Sequence, residues 1–585
     1  MSNLDWIVLV GVQLFIVAYG IWKGRGSKDI RAYLLSNKEM KWSTIGLSIM
    51  ATQASAITFL STPGQGYGDG MRFVQFYLGL PIAMVIISMV IVPIYHKLNV
   101  YTAYEYLESR FDLRMRSLTA FLFLVQRSLA AGFSIYAPAI ILSKVLGWPV
   151  DTLSIIIGLI VISYTVSGGT KAVSHTQKQQ MVVILIGMGI ATYMIIRLLP
   201  DDIGLSEATV IAGKMGRLNA IDFEFDLNSR YNIWSGLIGG FFVMMAYFGT
   251  DQSQVQRYLG GRSVAESKLG LLMNGMIKIP MQFMILFVGA LLFVFYMYND
   301  SPLHFNTAER KAAVEAGHGA QLESLEGDLQ GVFKQKREKT DLLVAAHRTQ
   351  DQALLDQTQA ELKGLLKEET EIRKNAIKVI RQHDLSEALA GVEQEELAEK
   401  QEKILDTYQT KERDYVFITF VTQHLPEGIV GLLIAVILAA AMSSASSELN
   451  ALATTTVVDI YKRNIKADGS DKHYLNAAKW LTLMWGCFAI LFTQFADKLD
   501  NLIQAVNIIG SLAYGVILGI FLVAFFLKKV QGLATFIAAL MSQALVLYCW
   551  LYTDIPFLWY NVIGCIPLMV FAAIIQSILN NSKQV

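Results

Sequence analysis

Thirteen stretches of this 585-residue chain are apolar for long enough to cross a bilayer, and nothing else constrains its fold as much. They fall at about 5–22, 43–61, 73–95, 117–146, 151–167, 179–198, 231–249, 269–298, 428–447, 474–496, 502–527, 531–552 and 556–579. A hydrocarbon core of about 30 Å needs roughly 20 apolar residues of helix to span it. Lipid offers no hydrogen bonds, so a spanning backbone must satisfy its own, as a helix does. An all-α integral membrane protein is therefore expected. A composition of 54% hydrophobic and 17% charged residues fits that class.

The charge is placed unevenly. Residues 301–412 hold 22 Asp and Glu and 16 Lys and Arg, more than a third of all the charged side chains. This segment reads as a soluble insert in a membrane body. Leu355, Leu362, Leu366, Ile377 and Ile380 keep helical spacing, which predicts one long helical hairpin or short coiled coil with a break near Gly391. A solvated spacer and an arm for a protein partner or self-association through 303–412 both fit. Nothing in the insert resembles a catalytic domain, and no enzyme is expected. Cys487, Cys549 and Cys565 all lie in apolar runs and read as small core residues.

Positive charge orients the spans. Loop 23–41 carries six Lys and Arg, and every second loop after it is basic: Lys97 to Arg116, Lys171 and Lys178, Arg257 to Lys268, Lys462 to Lys472, and Lys528 with Lys529. With thirteen spans these loops share one side. The expected topology has the amino terminus and the insert outside and the carboxyl terminus in the cytoplasm, in a plasma membrane that reads as bacterial. The basic loops are explained by topology, so no nucleic acid is expected as a partner. The first run is not read as a signal peptide, because Asp5 precedes it and Lys23, Arg25, Lys28 and Arg31 follow it.

Within these runs a few polar residues need a reason. Ser443, Ser444, Ser446 and Ser447 end an apolar helix. Hydroxyls there can bond back to their own helix or across to another. They can also serve as hard oxygen ligands for a small cation. Arg127 and Lys278 each lie about ten residues into a span, at a depth where a charge is expensive unless paired or hydrated. The long stem of Lys278 would let it reach toward the inner surface. No Asp or Glu falls in the middle of a run as delimited above, so no proton carrier is expected.

Four segments together resemble the sodium:solute symporter family: NVYTAYEYLESRFDLRMR at 99–116, SYTVSGGTKAVSH at 163–175, MMAYFGTDQSQVQRYLGGR at 244–262, and 425–463 with its AAAMSSASSELN core. The resemblance covers the chain apart from roughly 303–412. It is strongest to the branch with bacterial sialic acid and sugar symporters and animal iodide and vitamin transporters. It implies the inverted-repeat, LeuT-like transporter fold of five plus five helices. Residues 1–42 would be an extra helix and basic loop, 43–198 the first repeat, 231–527 the second with the insert, and 528–585 two peripheral helices. Such folds bind ions and substrate at the midplane, where the first helix of each repeat is broken. The polar run MATQASAITFLSTPGQGYG at 50–68, ending in Pro63, Gly64, Gly66 and Gly68, supports a break there.

The resemblance also implies site residues. The coupling ion, Na+, would be held by the carbonyls of Ala51, Ala54 and Ala440 and the hydroxyls of Ser443 and Ser444. A second sodium site of some relatives needs an acid where this chain has Gln177, so one sodium per cycle is expected. Arg127 is similar to the arginine that holds the substrate carboxylate in sialic acid carriers, and Ser55 and Thr58 match their polar partners. Phe73, Gln75 and Tyr77 on the second helix, Tyr247 and Phe248 beside the second break, and Lys278 complete the expected substrate site. Asn507 and Ser511 are gate candidates. The expected function is sodium-coupled import of a small solute, with a carboxylate-bearing sugar first. A neutral sugar, polyol or vitamin, with Arg127 structural, is the alternative. A transporter-like sensor acting through the insert is the alternative of another class.

Overall fold

The computed structural model describes residues 1–24, 30–226, 231–389, 396–496 and 502–581, which are almost entirely helical. Among the described residues the only β pairing is an isolated bridge between Met40 and Gly261. Among the described residues ten helical stretches are apolar and long enough to cross a membrane, and two shorter apolar stretches lie at Val150–Ser163 and Ser235–Thr250. The expected break near Gly391 lies outside the described residues.

The first helix, α1 (Asn3–Gly24), packs along the outside of the body. The expected span 43–61 is two helices, α2 (Trp42–Gln53) and α3 (Ala56–Asp69). The chain leaves helical geometry at Ala54 (φ −87°, ψ 73°) and Ser55 (φ −75°, ψ 174°). Helix α4 (Leu113–Leu146) carries Arg127. Helix α5 (Val150–Arg197) joins two expected spans through Gly169, whose φ of 61° suits glycine and whose missing Cβ leaves room for Tyr33.

The second broken span is α6 (Gly240–Thr250) and α7 (Gln252–Leu259), parted by Asp251 at φ −77°, ψ 121°. Helix α8 (Val264–Tyr298) packs along α3. There the contact is backbone on backbone: a Cβ on Gly66 would run into the Leu286 carbonyl, and one on Gly289 into the Pro63 carbonyl.

The insert is the expected hairpin. Helices α9 (Gly319–Arg348) and α10 (Gln352–Ile380) lie against each other, with Gln350 at φ 57° in the turn. Leu322, Leu329, Val332 and Phe333 pack against Ile372 and Ala376. Above this seam Glu369 pairs with Lys336 at 2.7 Å and Arg373 at 3.2 Å. Arg373 also donates to the carbonyls of Pro302 (2.8 Å) and Leu303 (3.1 Å) and to the Ser301 hydroxyl. The ends of the insert are clasped where His304 sits between Glu309 at 3.2 Å and Glu412 at 3.1 Å. Arg413 donates to Asp69, at the outer end of α3, at 2.7 Å.

Helix α11 (Ile429–Thr455) runs buried through the centre. Helices α12 (Asp471–Ala496), α13 (Leu502–Phe526), α14 (Gly532–Tyr552) and α15 (Phe557–Asn581) complete the body. Cys549 and Cys565 are buried as expected, but Cys487 is exposed on α12, on a surface shared with Trp480, Met484 and Leu491 that suits lipid. An apolar run of sequence says that a face is water-averse, not whether protein or lipid covers it.

Candidate functional site

Where α2 and α3 part, the helix end at Gln53 leaves carbonyls without partners in their own helix. Helix α11 crosses here. The Ser444 hydroxyl donates to the Thr52 carbonyl at 3.2 Å. The Ser443 Oγ is buried with no hydrogen-bond partner. Ala51, Ala54 and Ala440 are buried beside them. An orphaned hydroxyl oxygen in a dry core is costly, and a small cation drawn to neutral oxygens would relieve that cost. Among the described residues no group of three or more His, Cys, Asp or Glu could hold a metal, so a cation here would rest on hydroxyls and carbonyls.

One turn further, α11 meets α5. Ser48 donates to the Gln177 Oε1 at 2.5 Å, and the Gln177 amide nitrogen donates to Ser447 Oγ at 2.6 Å and Thr52 Oγ1 at 3.0 Å. A neutral amide thus fills the oxygen cluster.

Beside the break is a cavity of about 100 Å³. Its walls are Thr52, Gln53, Ser55 and Thr58 from the first broken helix, Phe76 and Tyr77, then Gln126, Arg127, Ala130 and Ser134 from α4. Val243, Met244 and Tyr247 from α6, Glu448 from α11, and Val506, Asn507, Gly510 and Tyr514 from α13 close it. Of the expected substrate residues, Ser55, Thr58, Tyr77, Arg127 and Tyr247 line it.

Phe73, Gln75, Phe248 and Lys278 do not. Phe73 packs in an aromatic cluster with Phe76, Tyr77 and Tyr231. Gln75 holds the loop before α6, donating to the Tyr231 carbonyl at 2.9 Å and accepting from the Asp222 amide at 2.9 Å. Phe248 is a core ring against Tyr247. Lys278 does not reach the inner surface; it is fully buried, with its nitrogen 5.6 Å from the Tyr77 ring centre. Asn507 lines the cavity, whereas Ser511 accepts from Asn561 at 2.9 Å.

The main correction concerns acids. Two carboxylates that the sequence put at span ends are buried in the core, and both pair with Arg127. One is Asp251; the other is Glu448, at 3.1 Å. Tyr514 also takes part, accepting from Arg127 and donating to Asp251 at 2.8 Å. Asp251 further accepts from the Ser253 amide at 2.8 Å and hydroxyl at 2.6 Å, and Glu448 from Ser134 at 2.8 Å. Arg127 is thus neither a free cation nor bound to helix carbonyls. Its Nε alone has no partner. The Gln53 and Gln126 Oε1 atoms, on two residues that line the cavity, are also buried without partners among the described residues.

Most signature residues brace the helical body instead of lining the cavity. Gln252 holds the 101–103 loop, donating to the Tyr101 carbonyl at 2.9 Å and accepting from the Ala103 amide at 3.2 Å. Gln256 and Asn450 both donate to the Thr170 hydroxyl, at 3.0 and 2.8 Å. Arg116 pairs with Asp459 and Glu108, each at 2.7 Å.

A multi-pass helical body, two broken helices, and a cavity lined by both of them fit a membrane transporter. The chain belongs to the sodium:solute symporter family, whose model matches residues 33–315 and 390–542. The human sodium/iodide cotransporter is 31% identical over 295 residues, which are 50% of this chain and 45% of that protein. The mouse sodium-coupled monocarboxylate transporter 1 is 33% identical over 273 residues, 46% of this chain and 44% of that one. The matched stretch thus spans less than half the length of these relatives. The fold is that of a solved structure described as the substrate-bound outward-open state of a Na+-coupled sialic acid symporter. It aligns over 99% of this chain and 98% of its own with a TM-score of 0.73 and 22% identity. These relatives are transporters, not enzymes.

Proposed function

We propose that this protein is a sodium-coupled symporter importing a small, neutral, hydroxyl-rich solute, such as a sugar or polyol, by alternating access. The observation that carries the solute class is the sharing of Arg127 between Asp251 and Glu448. A guanidinium already holding two carboxylates has little charge left for a third, and an anionic solute would add to a net negative cluster. The unpartnered Gln53 and Gln126 oxygens call for a solute that donates hydrogen bonds. A carboxylate-bearing sugar, sialic acid included, is the second reading; the free Arg127 Nε favours it.

Sodium sits between α2 and α11, on the Ala51, Ala54 and Ala440 carbonyls and the Ser443 and Ser444 hydroxyls. Binding there joins the break to the central helix and shapes the cavity, whose walls include Thr52, Gln53 and Ser55. Release inside, where sodium is scarce, reverses both steps. By linkage, sodium and solute each raise the other's affinity by the same factor. We place thirteen spans in a bacterial plasma membrane, with the amino terminus and the insert outside, and the two repeats at 43–198 and 231–527.

Thermal stability of the purified protein across sugars, polyols and sugar acids, with and without sodium, tests this, because a ligand of the folded state raises stability by mass action. Stabilisation by a neutral solute only in sodium is expected, and Ser443→Ala with Ser444→Ala abolishes the sodium response. Stabilisation confined to acidic sugars, and lost in Arg127→Ala, overturns the solute class but leaves the symporter. No response to sodium overturns the ion site.

A further inference from the structure

The cavity cluster holds two carboxylates and one guanidinium, and the carboxylates are not alike. Asp251 is saturated: Arg127, Tyr514 and both donors of Ser253 hold it, and it does not line the cavity. Glu448 lines the cavity and has two donors, Arg127 at 3.1 Å and Ser134 at 2.8 Å. The surplus negative charge of the cluster therefore rests on Glu448. The other buried cations nearby do not answer it. Lys278 lies on the Tyr77 ring without a hydrogen-bond partner, and Arg257 donates to the Ser253 carbonyl and the Ser174 hydroxyl.

Glu448 follows Ser444 by four residues on one continuous helix. Side chains at that spacing share a face, with Cβ atoms about 5–6 Å apart. A carboxylate with surplus charge, 94% buried, therefore stands one turn from the hydroxyl proposed to hold sodium. It lines the same cavity as Thr52, Gln53 and Ser55. At that distance in a poorly screened interior, a charge acts strongly on a monovalent cation.

We propose that Glu448 is the fixed counter-charge of the coupling ion, and that through its bonds to Arg127 and Ser134 it carries the presence of the ion to the solute cavity. This rests on the reading that sodium binds at Ser443 and Ser444. With sodium bound, the ion and the cluster sum to zero and the cavity accepts a neutral solute. Without sodium, only Arg127 and Ser134 answer the charge of Glu448. Glu448 is a positioning residue for the ion, not one of its ligands.

The test is sodium titration of the full chain in nanodiscs, read by thermal stability in a potassium-buffered background. The melting temperature in potassium alone serves as the folding control. Glu448→Gln is expected to raise the half-saturating sodium concentration tenfold or more, and Glu448→Asp to raise it only a few-fold. An unchanged sodium titration in Glu448→Gln, while Ser443→Ala with Ser444→Ala loses its response, overturns this inference and leaves the ion site standing. A wild-type sodium response in the double serine variant overturns the ion site and this inference together. Should Glu448→Gln fail to fold, Glu448→Asp decides alone: a few-fold weakening supports the proposal and no change overturns it.

Discussion

Two regions of this molecule bury a trio of charges, and they differ in how completely the charges are satisfied. In the insert, Glu369 holds Lys336 and Arg373, and the spare donors of Arg373 go to the carbonyls of Pro302 and Leu303 and the hydroxyl of Ser301. In the membrane core, Arg127 holds Asp251 and Glu448, yet its Nε has no partner and the cavity beside it presents unpartnered Gln53 and Gln126 oxygens. Closing every bond makes a joint. Leaving donors and acceptors open at a cavity wall makes a place for something that comes and goes, since unsatisfied buried groups are costly unless a ligand meets them.

The sharpest way to break this contrast is to cut the insert trio. Glu369→Ala leaves Lys336 and Arg373 buried without their anion and is expected to destabilise the insert by about 3–5 kcal/mol, read as early unfolding of α9 and α10 by hydrogen exchange. Replacing all three with Met or Leu of similar volume is expected to be nearly neutral and to leave uptake intact. Loss of uptake in that triple variant would show that the insert trio is more than a joint.

A smaller effect is expected at the clasp. Burial lowers the affinity of His304 for a proton, but Glu412 and Glu309 overcome it and raise its pKa to about 9. A raised pKa stabilises fully below the unfolded value of about 6.5 and is lost as pH rises through about 9. The two glutamates are held below the usual carboxylate range, against their burial, by His304 and by Arg381 or Arg373, so their share is lost on the acid side instead. Thermal stability should therefore fall between pH 6.5 and 9.5 by at most about 3 kcal/mol, and the slope should flatten in His304→Gln. An unchanged slope in that variant would remove the clasp from the insert's anchorage.

The subtlest comparison is within α11, where the Ser447 hydroxyl accepts from an amide and the Ser443 hydroxyl, one turn before it, has no partner among the described residues. Gln177→Asp replaces the amide that fills the Ser447 and Thr52 oxygens with a carboxylate. The Hill coefficient for sodium is expected to rise from about 1 toward 2 in uptake assays; a coefficient of 2 in the wild type would contradict single-ion coupling.

Much of this was legible in the sequence. The break at Ala54 and Ser55 is visible as polar residues in an apolar run, but the Pro63–Gly68 cluster does not mark it: those residues lie inside helix α3, which continues to Asp69. The hairpin is visible in the spacing of Leu355, Leu362 and Ile377. The two acids were not. A hydropathy window ends a span at the first charge, which placed Asp251 and Glu448 at membrane edges, whereas α11 continues through Thr455 and carries Glu448 into the core. Gln75 and Lys278 were misplaced for a related reason: sequence gives the depth of a residue along its helix but not the direction in which its side chain points.

The contact of Gly66 with α8 and of Gly289 with α3 has a mechanical consequence. Side chains between helices act as padding that lets one slide over another. At these two glycines there is none, and the backbones of α3 and α8 touch directly. The same holds at Gly64, which lies against the backbone of Arg413 at the exit of the insert. Helix α3, α8 and the corner of the insert thus meet backbone to backbone, and α3 begins at the unwound Ala54–Ser55 peptide, so a side chain added at Gly64, Gly66 or Gly289 has to push one of these elements away from another.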